Sequence, residues 1–116
     1  MTTIRLVLDE QLLIAELADN ATSRDFLALL PLTLELTDYA STEKVASLPK
    51  LLTTKGNTAG YEPSRGDLTY YAPWGNLAIF YRDFGYARGL IYLGRILSGV
   101  EHLHFQSAKQ LVIERL

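Results

Sequence analysis

The chain has 116 residues, of which 48% are hydrophobic, 21% are charged and 10% are aromatic. This composition is typical of one globular domain covering residues 1–116, and it excludes a disordered or collagen-like chain. Eleven Lys and Arg residues stand against thirteen Asp and Glu residues, so the net charge is −2 and no basic excess exists to bind nucleic acid. The absence of cysteine excludes disulfides and thiolate metal sites.

Neither a membrane span nor a signal peptide is predicted. Polar or charged residues interrupt every apolar run well before the roughly 18 residues that a membrane-spanning helix needs. The first residues, Met1-Thr2-Thr3-Ile4-Arg5, lack the apolar segment of a secretory signal. We therefore expect no membrane association and a cytoplasmic location.

Two strands are predicted at the start of the chain. Ile4, Leu6 and Leu8 alternate with more polar residues, which is the period of a strand. Residues 12–17 form a second run after the polar break Asp9-Glu10, so the two runs predict a hairpin. Because the second run is apolar at several positions on both faces, we expect it inside a sheet that is covered on both sides.

A short helix is predicted over residues 22–30. Thr22 is the expected N-cap, and Asp25 stands three residues later, where a carboxylate can return the capping hydrogen bond. An apolar stripe begins at Phe26, and Pro31 ends the helix because proline cannot continue it.

The rest of the chain is predicted to be mostly β. Residues 53–66 contain three glycines and one proline, which predicts a long surface loop of the kind that often carries function. Gly94 lies inside a predicted strand and indicates a bulge or sharp bend, and residues 100–103 predict a second short helical turn. The further predicted strands are 32–37, 43–46, 67–72, 77–81, 90–97 and 110–114. The predicted fold class is mainly β, a small closed barrel with one clear helix.

Three segments resemble cyclophilins. Residues 20–30 are similar to the first cyclophilin helix, which also opens on a Thr cap and carries Asn-Phe before leucines. Residues 66–80 resemble the hairpin that begins Gly-x-Leu-Ser-Met-Ala and ends Gly-Ser-Gln-Phe-Phe-Ile. Residues 90–101 are the most specific match, because Gly94 and Gly99 repeat the strand glycine and turn glycine of Val-Val-Phe-Gly-Lys-Val-x-x-Gly-Met-Asp.

The sequence is similar over nearly its whole length to the small bacterial and archaeal cyclophilin-like domains. Those domains share Leu-Pro-Leu-Thr beside the helix, Glu-Lys downstream, Gly-Asp before two aromatic residues, and an Asn before the next strand. In this chain the corresponding residues are Leu30–Thr33, Glu43-Lys44, Gly66-Asp67, Tyr70-Tyr71 and Asn76. The resemblance implies a small closed β-barrel capped by a helix.

The resemblance also implies where a catalytic cation would stand. Cyclophilins rotate an X–Pro peptide bond, whose barrier is roughly 18–20 kcal/mol, and an arginine donates to the prolyl nitrogen. The best counterpart here is Lys44, next to Glu43, and Arg82 is a second candidate donor. Lysine lacks the planar fork of arginine, and the Phe-Met-x-Gln-Gly-Gly-Asp stretch of the cyclophilin pocket has no counterpart. Lys44, Glu43 and Arg82 are therefore the catalytic candidates of an altered site.

The predicted strands 67–72 and 77–81 form a hairpin rich in aromatic residues, called the aromatic hairpin below. The candidate ligand-binding residues lie on this hairpin and just after it. Ile79 belongs to the pair that replaces the Phe-Phe of cyclophilins, and Arg88 could anchor a carboxylate or a peptide carbonyl. The full set is Tyr70, Trp74, Ile79, Tyr81 and Arg88. The alternative is that these strand aromatics divide between core and surface, and that Glu43-Lys44 is a solvated surface pair.

The histidines do not indicate a metal site. His102 and His104 are the only two in the chain, and no third ligand lies near them in sequence. No phosphate loop and no catalytic triad motif is visible, so we expect neither a metal nor a cofactor.

Three functional hypotheses follow from the sequence. The leading one is a cyclophilin-like module that binds a small ligand or a peptide and has little or no prolyl isomerase activity. The second is a peptidyl-prolyl isomerase with a rebuilt site that uses Lys44 or Arg82 as the donor. The third is a protein that assembles into a homo-oligomer through its aromatic hairpin.

Overall fold

The computed structural model describes residues 1–116 as ten strands, one α-helix and one 3-10 helix. The helices are α1 (Ala21–Ala28) and the 3-10 helix Val100–Leu103. The strands are β1 (Thr2–Leu8), β2 (Gln11–Leu17), β3 (Leu32–Tyr39), β4 (Glu43–Ser47), β5 (Gly60–Tyr61), β6 (Asp67–Tyr71), β7 (Asn76–Phe80), β8 (Ala87–Arg88), β9 (Leu90–Ser98) and β10 (Lys109–Arg115).

Eight of the strands form a closed antiparallel barrel. Their order around the barrel is β1-β10-β3-β4-β7-β6-β9-β2, and β5 pairs only with β8 in a separate two-stranded sheet. Closure runs through β1, where Leu6 stands opposite Leu13 of β2 on one side and Ile113 of β10 on the other. The predicted fold class, a mainly β closed barrel with one helix and one further helical turn, is therefore confirmed. Closure leaves no barrel strand with an unpaired edge.

Alternate strand residues fill the barrel. In β1, Ile4, Leu6 and Leu8 are at most 1% exposed, while the residues between them are partly exposed. These side chains belong to one cluster of 21 buried residues, which also includes Phe26 from α1. The helix packs on β9, where the Ser23 hydroxyl donates to the Leu93 carbonyl at 2.8 Å. The barrel and its helix thus share one core.

Gly94 lies at a bulge in β9, as its position inside a strand predicted. Leu68 of β6 stands opposite Gly94, and the next residue of β6 stands opposite Tyr92, so Leu93 is an extra residue on β9. A Cβ atom at position 94 would lie 2.1 Å from the Glu16 carbonyl oxygen. Only glycine fits this close approach between backbones.

The helix begins earlier than predicted, and its cap is a different residue. Asn20 is the N-cap, and its side chain accepts a hydrogen bond from the Ser23 N–H at 2.8 Å. Thr22, the predicted cap, is fully buried and donates to the Thr53 carbonyl at 2.6 Å. Asp25 accepts the Thr53 N–H at 2.8 Å instead of returning a capping bond. Thr22 and Asp25 therefore fasten the following long loop to the helix.

Two further predictions about the strands are corrected by the structure. The strand predicted to be covered on both sides is β2, but it alternates, and Leu12 is 52% exposed. The predicted surface loop 53–66 contains a two-residue strand, β5, which pairs with the two-residue strand β8 in the segment between β7 and β9. Two residues are too few to show a strand period, so sequence periodicity could not detect this pairing. Neither helix could span a bilayer, since α1 has eight residues and the 3-10 helix has four.

The close approach at Gly94 gives a stability prediction. We expect Gly94→Ala to lower the free energy of unfolding by about 2–4 kcal/mol, because the new Cβ meets backbone that can retreat only if the β2–β9 pairing shifts. Gly85→Ala is the control, since nothing lies within 4 Å of its Cβ position, and we expect it to be within about 1 kcal/mol of the wild type. Urea denaturation measures both, and equal stabilities for the two variants would contradict the prediction.

Candidate functional site

Strand β4 contributes to two different environments because its side chains alternate. Lys44 and Ala46 point into the barrel and are buried. Glu43 and Val45 point to the outer face, where Val45 packs against the small apolar cluster formed by Ala78, Phe80 and Leu90. The neighbouring residues Glu43 and Lys44 therefore lie on opposite sides of the barrel wall.

Lys44 is the centre of a polar cluster inside the barrel. Its side chain is 0% exposed, and its ammonium group donates to Asp38 Oδ1 at 3.0 Å and to the Phe105 carbonyl. The same nitrogen lies 3.9 Å from the centre of the Phe105 ring and 5.0 Å from that of Tyr81. A buried ammonium needs such partners, because an unpaired charge in an apolar interior is strongly unfavourable.

Asp38 joins this cluster to Tyr81. The Tyr81 hydroxyl donates to Asp38 Oδ1, the oxygen that also accepts from Lys44. Burial by itself would raise the pKa of Asp38, but the hydrogen bonds from Tyr81, Lys44 and the Ser41 N–H, with the charge of Lys44, lower that pKa below its ordinary value. Burial and the bond to Asp38 raise the pKa of the Tyr81 phenol. The pair is therefore an ionised carboxylate and a neutral phenol at neutral pH.

A groove lies on the outer face of the barrel. One side of it is formed by a row of three side chains from three neighbouring strands. Tyr39 of β3 stands opposite Glu43 of β4, which stands opposite Phe80 of β7. The groove has a volume of about 240 Å³, and seven of its eight lining residues are hydrophobic. They are Tyr39, Glu43, Tyr71, Trp74, Phe80, Phe84, Ala87 and Leu90.

The aromatic rings of the groove are arranged at steep angles around Trp74. The Tyr39 ring lies 5.6 Å from Trp74 at 79°, and the Tyr71 ring lies 5.2 Å from it at 88°. Phe84 stacks on Phe80 with the ring centres 6.4 Å apart. Trp74 is 58% exposed and Phe84 51%, so this surface presents large apolar side chains to solvent. Such a patch is typical of a binding surface.

Glu43 is the only charged residue that lines the groove. Desolvation among the apolar neighbours raises the pKa of its carboxyl group from 4.5 to about 7. The structure shows no hydrogen bond and no ion pair to the Glu43 carboxyl group, although five Lys or Arg side chains form ion pairs with acids elsewhere in the chain. This carboxyl group can therefore take or release a proton near neutral pH.

The two-stranded sheet of β5 and β8 covers the outer face beside the groove. Tyr61 and Ala87, one from each strand, pack against the outer apolar cluster. The Tyr61 hydroxyl donates to Asp67 Oδ2 at 2.7 Å, which fixes β5 to the start of β6. Burial and the Asp67 carboxylate raise the pKa of the Tyr61 phenol, so it stays a hydrogen-bond donor. This small sheet holds the Ala87 side of the groove.

The structure distributes the residues predicted from the sequence among three environments. Of the catalytic candidates, Glu43 lines the groove, Lys44 is enclosed in the barrel, and Arg82 is exposed with its guanidinium 5.7 Å from the Tyr81 ring. Lys44 cannot donate to a ligand in the groove from this position, because its strand directs it to the opposite face.

Only one of the five predicted ligand-binding residues lines the groove. That residue is Trp74. Tyr70 and Ile79 are core residues at most 1% exposed, and the Tyr70 hydroxyl accepts the Leu52 N–H at 3.1 Å. Tyr81 belongs to the interior polar cluster, and Arg88 is an exposed residue of β8 that does not line the groove.

Six groove residues are absent from the set predicted from the sequence, and four of them are aromatic, namely Tyr39, Tyr71, Phe80 and Phe84. Residues 70–71 and 80–81 are adjacent pairs of aromatic residues, and the predicted set contains the inward-facing member of each pair. Tyr70 and Tyr81 point inward, so Tyr71 and Phe80 must point outward. The sequence does contain a signal for the outward-facing residues. Leu68 and Leu77 are fully buried, and side chains an even number of positions from them on the same strand face inward, so Tyr71 and Phe80, at odd distances, face outward.

The residue arrangement does not favour a metal site. No group of three or more His, Cys, Asp or Glu side chains lies close enough together to hold a metal ion. His104 instead makes an edge contact with Tyr81, with ring centres 5.1 Å apart.

The fold described above is a closed eight-stranded antiparallel barrel with one α-helix packed on it. The sequence pattern of the Cyclophilin-like family matches residues 6–114, and the chain belongs to this family. The solution structure of the hypothetical protein AF2241 from Archaeoglobus fulgidus is similar, with a TM-score of 0.75 and 16% sequence identity. The alignment covers 99% of this chain and 95% of the archaeal chain, and it shows a shared fold. Among curated proteins, none matches the chain.

The interior cluster gives a second stability prediction. We expect Lys44→Met to lower the free energy of unfolding by roughly 3 kcal/mol, because Asp38 and the Phe105 carbonyl lose their shared donor. The expected loss of stability lies at the low end of the range for removing one partner of a buried ion pair, because the Asp38 side chain is 23% exposed. Lys109→Met is the control. Its partner Asp9 is 2.9 Å away but 49% exposed, so we expect a loss below about 1 kcal/mol. Urea denaturation compares them, and a harmless Lys44→Met would refute the structural role of Lys44.

The carboxyl group of Glu43 gives a pH prediction. Below pH 4.5 Glu43 is protonated in both the folded and the unfolded chain, and above that pH the unfolded chain releases its proton first. The Glu43 contribution to stability therefore falls as the pH rises from 4.5 to about 7, and it stays constant above. We expect carbon NMR of the carboxyl group to give a midpoint near 7. We expect Glu43→Gln to become increasingly stabilising relative to the wild type across the same range. A midpoint near 4.5 would contradict this.

Proposed function

We propose that this domain is a binding module whose outer groove accepts a small ligand or a peptide segment, with little or no prolyl isomerase activity. The observation that carries the proposal is the groove on the outer wall, whose lining combines the exposed rings of Tyr39, Trp74 and Phe84 with a single carboxyl group. A typical domain buries such rings or scatters them, because clustered apolar surface in water is unfavourable. An occupant that covers Trp74 and Phe84 would remove this apolar surface from water.

The low isomerase activity is proposed from what the groove lacks. Catalysis of prolyl rotation requires a donor directed at the prolyl nitrogen, and in cyclophilins this donor is a cation. None of the residues lining the groove is Lys or Arg, and the one charged group is an acid. A carboxylate accepts hydrogen bonds when it is ionised and cannot replace an arginine. Binding without efficient bond rotation is therefore the simpler function for this groove.

The binding proposal is tested with Nile red, a neutral apolar dye. We expect the dye to gain fluorescence with the native protein, and Trp74→Ala to weaken its binding about tenfold, because the central ring of the groove is lost. Leu12→Ala is the matched control, since Leu12 is 52% exposed but lies on β2 away from the groove. Equal affinities of the wild type and Trp74→Ala, or no dye binding, would contradict the proposal.

The isomerase proposal is tested by exchange NMR on a panel of capped X–Pro peptides. We expect micromolar protein to leave the cis/trans exchange rates at their uncatalysed values. Rates comparable to those of an active cyclophilin, abolished by Arg82→Ala, would establish the rebuilt isomerase site instead.

Light scattering in the same samples tests the homo-oligomer, because a dimer that buries Trp74 would occupy the groove itself.

A further inference from the structure

Three aromatic side chains, Tyr39, Tyr71 and Trp74, line the groove together, and we call them its aromatic cage. The Tyr39 and Tyr71 rings each meet Trp74 at close to a right angle, so the rings that line the groove lie in different planes. The face of an aromatic ring carries partial negative charge, and a cation within about 6 Å of a ring centre is attracted to it. An aromatic groove favours a positive charge with an apolar surface, because water solvates such a cation less strongly than a bare ammonium.

The carboxyl group of Glu43 stands in the same row of the cage. It lies opposite Tyr39 on one side and opposite Phe80 on the other, across β3, β4 and β7. The barrel register thus places one negative charge among the rings. Acid and rings together favour a cationic occupant over an anion, which the carboxylate would repel, and over a neutral one, which would leave the carboxylate desolvated without a partner.

No cation of the chain occupies this position. The nearest basic residue in sequence, Lys44, points into the barrel and bonds to Asp38 and Phe105. Arg82 lies against the Tyr81 ring, and Arg88 does not line the groove. The charge of Glu43 therefore has no internal counter-ion, although five Lys or Arg side chains pair with acids elsewhere in the chain.

We propose that the groove binds an organic cation, namely an alkylated ammonium group on a small molecule or on a side chain, with Glu43 as counter-ion and Trp74, Tyr39 and Tyr71 as the cage. This inference rests on the proposed binding function and specifies the chemistry of its ligand. The alkyl groups contact the rings, and the positive charge interacts with both the ring faces and the carboxylate. A metal ion is a poor alternative, because a single carboxylate supplies too few of the ligands that a hard cation requires.

The test compares choline with 3,3-dimethyl-1-butanol, which has the same shape but carries carbon in place of the charged nitrogen. Trp74 is the only tryptophan, so its fluorescence reports occupancy of the cage directly. Titrations are made at about pH 8, where Glu43 is ionised. We expect the wild-type protein to bind choline at least about tenfold more tightly than the neutral isostere.

The variants separate the charge from the cage. Glu43→Gln keeps the shape of the side chain and removes its charge, so we expect it to remove most of the preference for choline, both by weakening choline binding and by strengthening binding of the isostere, which no longer desolvates an unpaired carboxylate. Glu35→Gln is the control, because Glu35 is an exposed acid of β3 that does not line the groove, and it should bind both compounds as the wild type does. The Trp74→Ala variant has no tryptophan, so its choline binding is measured by calorimetry. We expect this variant to bind choline about tenfold more weakly than the wild type.

The outcomes distinguish this inference from the binding function on which it rests. If choline and its isostere bind equally, or if neither binds while Nile red does, the groove is an apolar binding site and the cation inference is overturned. If Nile red also fails to bind, the proposed function fails as well. If choline is preferred but Glu43→Gln keeps the preference, the assignment of Glu43 as the counter-ion is wrong.

Discussion

Barrel closure determines where every side chain of this protein can act. Once β1 pairs with both β2 and β10, each strand has one face toward an enclosed interior and one toward the outside. Neighbouring residues must then occupy different environments, because side chains alternate along a strand. Glu43 and Lys44 show the result most directly. They are joined by one peptide bond, yet one lines an open groove and the other is completely enclosed.

The enclosed Lys44 is unusual because the buried core around it consists of aliphatic and aromatic residues. Lys44 links three parts of the chain. It belongs to β4, and its ammonium group bonds to Asp38 of β3 and to the Phe105 carbonyl in the segment before β10. Tyr81, which follows β7, completes the set through the same carboxylate oxygen. A polar interaction of this kind has strict geometric requirements, so it fixes the relative positions of these segments more specifically than apolar contacts do. The outer row from Tyr39 to Phe80 is built on the same strands.

The fold could be predicted from the sequence because its signals are local and repeated. The alternation in β1 and β3 identified strands, and Gly94 marked the bulge where two backbones meet. The site was harder to predict, because it depends on which strands become neighbours. Glu43 contacts the groove only because β4 lies between β3 and β7, and no local pattern states that order. Thr22 had the pattern of a helix cap, but a loop residue 31 positions away used its hydroxyl instead.

The strict alternation of the barrel wall also bears on how such proteins diverge. Inward positions are constrained by the shape of one shared core, while outward positions outside the covered regions contribute little to folding. Half of the wall can therefore change its chemistry by substitution while the barrel stays intact. Two chains that share 16% of their residues and a TM-score of 0.75 are consistent with that freedom. Substitutions on the outer wall of a closed barrel can therefore change which ligand it binds, while the buried core and the fold stay the same.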